Sequence, residues 1–558
     1  MSAIISIDDF YTPGDPDYTL ALQSAINNGA AIFIPSGIYP IGSVSGTDVH
    51  IYGVGTLQKK AGTAGVLLNL TGNSRIEGVT IDGNAPNLST AGSYFDDIAV
   101  QQVQGALALT GVKFRRSAYA AVYALGASLS VDAGCRFTEG KLHNGLTGES
   151  TAQPTHYIKC AADLDTKDQI ISINGATFIG DTESATLHLN PTGIFITSYR
   201  DSSVSRRFKT ISIVAAKLIA CSTNAGGEAG NVTGAIDTYD GAENLTVLGC
   251  TIRFFTYAAI KAQNCSRFTI SHNICTDGVT PTGAHHQQCY GITTTQKVRG
   301  STVDERNGIV AFNIIEGLAH IGIGNNCDLT TISDNHVFGV RATTITYRAA
   351  NSGLETSTTA GTGIDNSGNY VVIARNKLTM IEGQMIQCFG SNCEIDDNDL
   401  NSSHETASVV TRGGILVSGN GVKVRRNRLS SNWTGSIPGI RSNGPLSSFE
   451  IDENDIRRFD TGVDLRATGG AIDEGHIGRQ RFVDVGTPFH FANATYAITN
   501  ISRGDLQPCT VAQLPTFVLE GARAIVTDAV TPAWGTAPVG GGSARSPVYR
   551  DNTGWKIG

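Results

Sequence analysis

A short phrase recurs along this chain: two alternating apolar residues, a polar pair, an asparagine and another apolar residue. It reads FTISHNIC at 268–275, IVAFNII at 309–315, TISDNHV at 331–337 and VVIARNKL at 371–378. It continues as EIDDNDL at 394–400, VKVRRNRL at 422–429 and EIDENDI at 450–456. The asparagines are Asn273, Asn313, Asn335, Asn376, Asn398, Asn427 and Asn454, and subtraction gives spacings of 40, 22, 41, 22, 29 and 27. One unit is therefore 22 to 29 residues, and the spacings near 40 hold an extra turn or a long loop. VTIDGN at 79–84, VKF at 112–114, ISINGATFI at 171–179, ISIVAAKLI at 211–219 and LTVLGCTI at 245–252 keep the rhythm without the Asn. Apolar runs of period two, bounded by Asn, Gly, Ser and Asp, are short strands. A period of this size with several such strands predicts one coil of a parallel β-solenoid. Its coils stack at about 4.8 Å with apolar side chains superposed inside. The asparagines point inward, bonding turn backbone and one another as a ladder.

Other repeat folds fit less well. The LxxLxLxxN phrase and helices of a leucine-rich solenoid are missing, and propeller blades repeat more evenly at about 40 to 50 residues. Only 16% of the 558 residues are charged and 65 are glycine, against roughly 25% and 7% in ordinary globular chains. That excludes a disordered chain and a long coiled coil. With 41 basic and 49 acidic residues the net charge is −8, so nucleic acid is not an expected partner. No apolar run reaches membrane-spanning length, so no membrane insertion is expected. MSAIISIDDFYTPGDP lacks the features of a secretory signal. Eleven cysteines, without a CxxC pair or zinc spacing, read as reduced core or turn residues of a protein made in a reducing cytoplasm.

The two ends differ from the middle. Residues 1–45 read as a strand-helix-strand cap, with Asp15 capping a helix that starts at Pro16 and ends at Gly29. Tyr18, Leu22, Ala25 and Ile26 would cover the open end of the solenoid core. Residues 46–500 form the coils. Residues 501–558, with two strand-like runs and a GGGS segment, form a small C-terminal β module.

The arrangement DDF, GD, helix, IFIPSGIY, followed by IYGVGT and GVTIDGN, resembles the pectate-lyase-like right-handed β-helix superfamily. It departs from the pattern at GDPDYTLA, where many members carry a second Gly and an Asp pair. ARAIVTDAVTPAWGTAPVGGGSARSPVYRDNTGWKIG resembles modules that close phage and prophage tail fibres and tailspikes. Together these stretches cover about residues 1–90 and 515–558. The resemblance implies an all-β, right-handed parallel β-helix and a homotrimer located in a virion tail. Such a protein is made in the host cytoplasm without a signal peptide and attaches through its N-terminus to a tail or baseplate protein. It also implies a tailspike-type depolymerase that binds and cleaves bacterial surface polysaccharide (capsule, O-antigen or exopolysaccharide). One β-helix hosts several chemistries, so endo-glycoside hydrolysis, β-elimination on a uronate and non-catalytic glycan adhesion all stay open.

Aligning the coils on a recurrent Gly-Ile strand places residues on an outward face by the period of two. The first outward column holds Phe195, Asp237, Lys261, Thr293, Gly324, Asp365, Gln387, Leu416, Arg441 and Asp464. The second includes Tyr239, Gln263 and Phe389. Polar groups and rings in file suit an extended glycan, with Phe195, Tyr199, Tyr239, Gln263, Asp365 and Phe389 as expected sugar contacts. Hydrolysis needs two carboxyls about 5–5.5 Å apart for retention or roughly 6.5–9.5 Å for inversion. Asp237 and Asp365 lie four coils, about 19 Å, apart at strand spacing, so Asp237 pairs with Asp240, or with Glu243. Lys261 either forms a salt bridge with Asp237 or stabilises the enolate of a lyase, with His285 or His286 as acid or base. No cofactor is called for, and no carboxylate cluster points to a metal.

Overall fold

The computed structural model describes residues 4–29, 31–63, 65–84, 97–117, 119–140, 156–162, 168–182, 191–197, 199–200, 205–224, 232–239, 242–279, 289–295, 307–318, 320–341, 343–348, 354–359, 361–402, 413–432, 437–466, 471–492, 501–503, 510–514, 523–530 and 533–558. The chain divides into two compact units. The first is Met1–Arg306 with Asn313–Ala319 and Thr344–Thr359; the second is Asn307–Phe312, His320–Thr343 and Ala360–Gly558. Both are parallel β-helices.

In the first unit a coil contains three strands, each hydrogen-bonded to its counterpart one coil on. Phe208–Val214 pairs with Ala242–Leu248, and that with Arg267–Ser271. The short strands Lys217–Ile219, Thr251–Arg253 and Ile274–Thr276 follow in the same order. Thr192–Thr197, Ile236–Tyr239, Ala258–Gln263 and Tyr290–Thr295 form the third file. Parallel in-register pairing stacks like on like: Ile194, Ile236, Ile260 and Ile292 superpose, all fully buried. Each such side chain contributes about 1.5–3 kcal/mol by leaving water. Phe114, Phe137 and Phe178 stack with ring centroids 4.8 and 4.7 Å apart.

The residue before each repeated asparagine has a positive φ, for example 57° at His272 and 54° at Arg375. This left-handed kink turns the chain between strands and directs the asparagine inward. Asn273 Nδ2 donates to Asn313 Oδ1 at 3.0 Å and to Val247 O at 3.0 Å. In earlier coils of this unit the kink is Gly78, Gly111, Gly175, Ala215 or Gly249, and the next position holds Val79, Val112, Ala176, Ala216 or Cys250, all buried.

The N-terminal helix spans Thr19–Asn27 and buries Ala21, Leu22, Ala25 and Ile26. It begins at Thr19 and not at Pro16. Asp15 Oδ2 instead accepts from Thr12 N within the preceding turn, and Asp17 Oδ1 accepts from Thr19 N at 2.9 Å. Gln23 fixes the helix to the strand Val44–Thr47 through both its amide atoms, donating to Ser45 O at 2.8 Å and accepting from Ser45 N at 3.0 Å.

In the second unit Ile332, Ile373, Ile395, Val424, Ile451 and Ile477 superpose in consecutive coils. An asparagine ladder runs through Asn335, Asn376, Asn398, Asn427 and Asn454, and each step carries two bonds to the next Oδ1 at 2.9–3.1 Å. It ends on Gln480, whose Oε1 accepts from Asn454 N at 3.2 Å and Nδ2 at 3.1 Å. The strand Ile501–Arg503 still pairs in parallel with Gly475–Ile477. Beyond it, Arg523–Ala529, Ala544–Asp551 and Gly554–Ile557 form an antiparallel sheet over Leu514, Val526, Val548 and Trp555. The ten cysteines among the described residues are all free and buried. Among the described residues no helix is long and apolar enough to cross a membrane.

Candidate functional site

The strand registers of the first unit put Tyr123, Lys159, Phe195, Asp237, Lys261 and Thr293 on six successive rungs of one file. Tyr239 and Gln263 are matched two residues further along. Adjacent rungs lie about 4.8 Å apart, so the outward column expected from the period of two is a physical stripe. Asp237 is nevertheless fully buried, and Gln263 is only 5% exposed.

Asp237 and Lys261 form an ion pair, Nζ to Oδ2 at 3.3 Å, with Gly234 N donating to the same oxygen at 3.1 Å. Asp237 Oδ1 is closed off from solvent and has no hydrogen-bond partner among the described residues. Lys261 Nζ lies 5.9 Å from the Tyr239 ring centre and 5.6 Å from that of Tyr257. Burial pushes the Asp237 carboxyl up, and the attraction of Lys261 and the bond from Gly234 offset only part of that. Burial pulls Lys261 down, but Asp237 and Tyr257 outweigh it, so its ammonium is held more firmly than usual. Each partner therefore gives up its proton at a higher pH than an ordinary exposed counterpart.

Of the other expected residues, Phe195 is half-buried and its ring stacks on His156, with centroids 4.7 Å apart and planes at 12°. Tyr199 falls in the two-residue strand Tyr199–Arg200, antiparallel to Ser205–Arg206. Glu243 is exposed in the strand Ala242–Leu248. Asp240, His285 and His286 lie outside the described residues. Among the described residues no group of three or more His, Cys, Asp or Glu is gathered as metal ligands would be.

Asp365 belongs to the second unit, in register with Gly324 and Gln387. Its Oδ1 is shut off from solvent with no partner among the described residues, and burial pushes its pKa up to about 6. Phe389, at 37% exposure, follows the strand Gln384–Cys388. The folded state thus binds a proton on Asp365 that the unfolded chain, with a carboxyl near 3.8, has already lost. Stability is lost as pH rises from about 4 through about 6 and stays lost above it. Asp365→Asn is expected to stabilise the protein by about 1–3 kcal/mol at neutral pH, a range set low because the residue is half-buried. The gain should vanish near pH 4, which unfolding midpoints at the two pH values will show.

Lys159, His156, Tyr119, Tyr123 and Tyr257 were absent from the sequence-based set. Extending the strand alignment one coil earlier, onto HYIKCA at 156–161, would have placed Lys159 in the first column.

No protein-family model matches this chain, and no curated protein matches it. Solved structures do. A tailspike protein of the Escherichia coli bacteriophage HK620 matches over 99% of this chain and 90% of its own, at 12% identity and a TM-score of 0.36. Tailspike protein 3 of bacteriophage CBA120 matches over 99% and 68%, at 10% identity and a TM-score of 0.33. A family 28 exopolygalacturonase of Yersinia enterocolitica matches over 89% and 78%, at 11% identity and a TM-score of 0.26. At these scores the fold rests on the strand registers described above.

Proposed function

We propose that this chain is a tailspike-type depolymerase that binds a bacterial surface polysaccharide along the Phe195–Lys261 stripe and cleaves it by endo-glycoside hydrolysis. The observation that carries the reading is Asp237: a buried carboxyl with one unpartnered oxygen, its pKa pushed up by burial, on a file with aromatic rings. A carboxyl in that state is suited to general acid catalysis. Asp237 gives its proton to the bridging oxygen as the bond to the anomeric carbon breaks, and the bond's electron pair stays on that oxygen. Asp240 takes a proton from the water that adds to the anomeric carbon. Lys261, held as an ammonium, keeps Asp237 in place and takes no proton in this scheme.

The sequence resemblance supports a homotrimer, attached through its N-terminus to a phage tail or baseplate protein and acting outside the cell. The Lys261 ammonium also suits a lyase, where it would stabilise the enolate formed from a uronate. A panel of bacterial surface polysaccharides separates the readings when reducing ends and the ultraviolet absorbance of unsaturated uronates are followed together. Reducing ends without absorbance are expected. Absorbance rising in step assigns the lyase, and pull-down of polysaccharide without cleavage assigns an adhesin.

A further inference from the structure

Two lysines share the outward file of the first unit, and their surroundings differ in kind. Lys261 has a carboxylate beside it. Lys159, two rungs before Asp237 in register, meets rings instead. Its Nζ lies 4.8 Å from the Tyr119 ring centre and 5.3 Å from that of Tyr123, and it donates to the Tyr119 hydroxyl. No salt bridge to Lys159 is found among the described residues. Ring faces attract a cation but cannot neutralise it. A lysine removed from water without a counter-ion is costly to the fold, so burial draws its pKa down to about 8.

His156, on the same strand, is 3% exposed. Its ring is stacked on Phe195 and set edge-on to Tyr119, with centroids 4.7 and 5.9 Å away. Its Nδ1 is closed off from solvent and has no hydrogen-bond partner among the described residues. The neutral tautomer with its proton on Nδ1 offers a donor in want of an acceptor. Among the described residues, a cation without an anion and a donor without an acceptor thus stand beside an aromatic platform.

We infer that Tyr119, Tyr123, His156 and Lys159 form a binding subsite for a carboxylate-bearing sugar. The subsite lies two rungs, about 10 Å, from Asp237 on the same file. The sugar carboxylate takes the Lys159 ammonium and the His156 N–H, and the sugar's C–H face lies on Phe195. The inference rests on reading this face as a glycan surface and narrows the substrate to an acidic polysaccharide.

The test uses the full chain and two monosaccharides, D-glucuronate and D-glucose, with binding followed by ligand-observed NMR. Monosaccharides need no cleavage, so the outcome is independent of whether the protein is a hydrolase, a lyase or an adhesin. Glucuronate is expected to bind at least tenfold more tightly than glucose at pH about 6.5. Lys159→Met should abolish that preference, and Lys159→Arg should retain part of it. The preference should also collapse at pH about 9.5. The groups facing Lys159 do not titrate in that window: Tyr119 is pushed up to about 12, Tyr123 is pushed up by burial, and His156 is held well below its ordinary value. A purely structural lysine would leave sugar binding unchanged in Lys159→Met. Equal binding of the two sugars, no binding of glucuronate, or an unchanged preference in Lys159→Met overturns the inference.

Discussion

Asn376→Ala is expected to destabilise the second unit by about 3–5 kcal/mol, more than most single substitutions. The side chain is fully buried and serves two neighbouring coils at once. Its Oδ1 accepts from Asn335 N at 3.1 Å and Asn335 Nδ2 at 2.9 Å; its Nδ2 donates to Ile332 O at 2.9 Å and Asn398 Oδ1 at 3.0 Å. Alanine strands two donors and one backbone carbonyl where water cannot replace the lost partner, at about 1–3 kcal/mol for each group left unmade. Asn398 Oδ1 keeps its bond from the backbone N–H of residue 376, which limits the loss. Asn244→Ala is the control: its amide donates to Lys209 O at an exposed site, and the change should fall within about 0.5 kcal/mol. Unfolding rates in denaturant measure both, since long solenoids often unfold irreversibly.

The same contrast explains what could be read from the residues. A buried asparagine recurring at coil length has few explanations other than a ladder, and an apolar period of two fixes which side chains face in. Those rules placed Phe195, Asp237 and Lys261 on adjacent rungs, as their registers confirm. They could not show that Asp237 is fully buried, because burial depends on the covering side chains and turns rather than on alternation. Lys159 escaped for a related reason. Its environment is assembled from Tyr119, Tyr123 and His156 on two adjacent strands and their approaches, and no local phrase joins them. Gln480 ends the ladder with one more methylene than asparagine, so HIGRQRF breaks the phrase while keeping its hydrogen bonds. The helix starts at Thr19 and not at Pro16 because Asp15 accepts from Thr12 N within its own turn and Asp17 from Thr19 N, local bonds that the residue types alone do not choose between.

Asp237→Asn is expected to lower polysaccharide cleavage by about 100- to 10,000-fold, the range associated with loss of a positioned general acid. The amide retains the shape of the side chain but has no proton to give to a departing oxygen. Lys261→Met then separates the two chemistries. Removing the ammonium takes away the main attraction holding the Asp237 pKa down against burial, so the carboxyl titrates at still higher pH. A hydrolase relying on Asp237 as acid should therefore keep cleaving, with the alkaline limb of its pH–rate profile moved upward. A lyase relying on Lys261 to stabilise an enolate should lose turnover at every pH. The unpaired acid in Lys261→Met is neutral over a wider range, so the fold should tolerate this variant. Asp237→Asn instead leaves a buried ammonium without its counter-charge, which costs about 3–5 kcal/mol when no proton is lost. Part of that cost is relieved if Lys261 gives up its proton, because the charge that raised its pKa is gone. Thermal midpoints of Asp237→Asn should accordingly recover at high pH relative to the parent, whereas its cleavage should not.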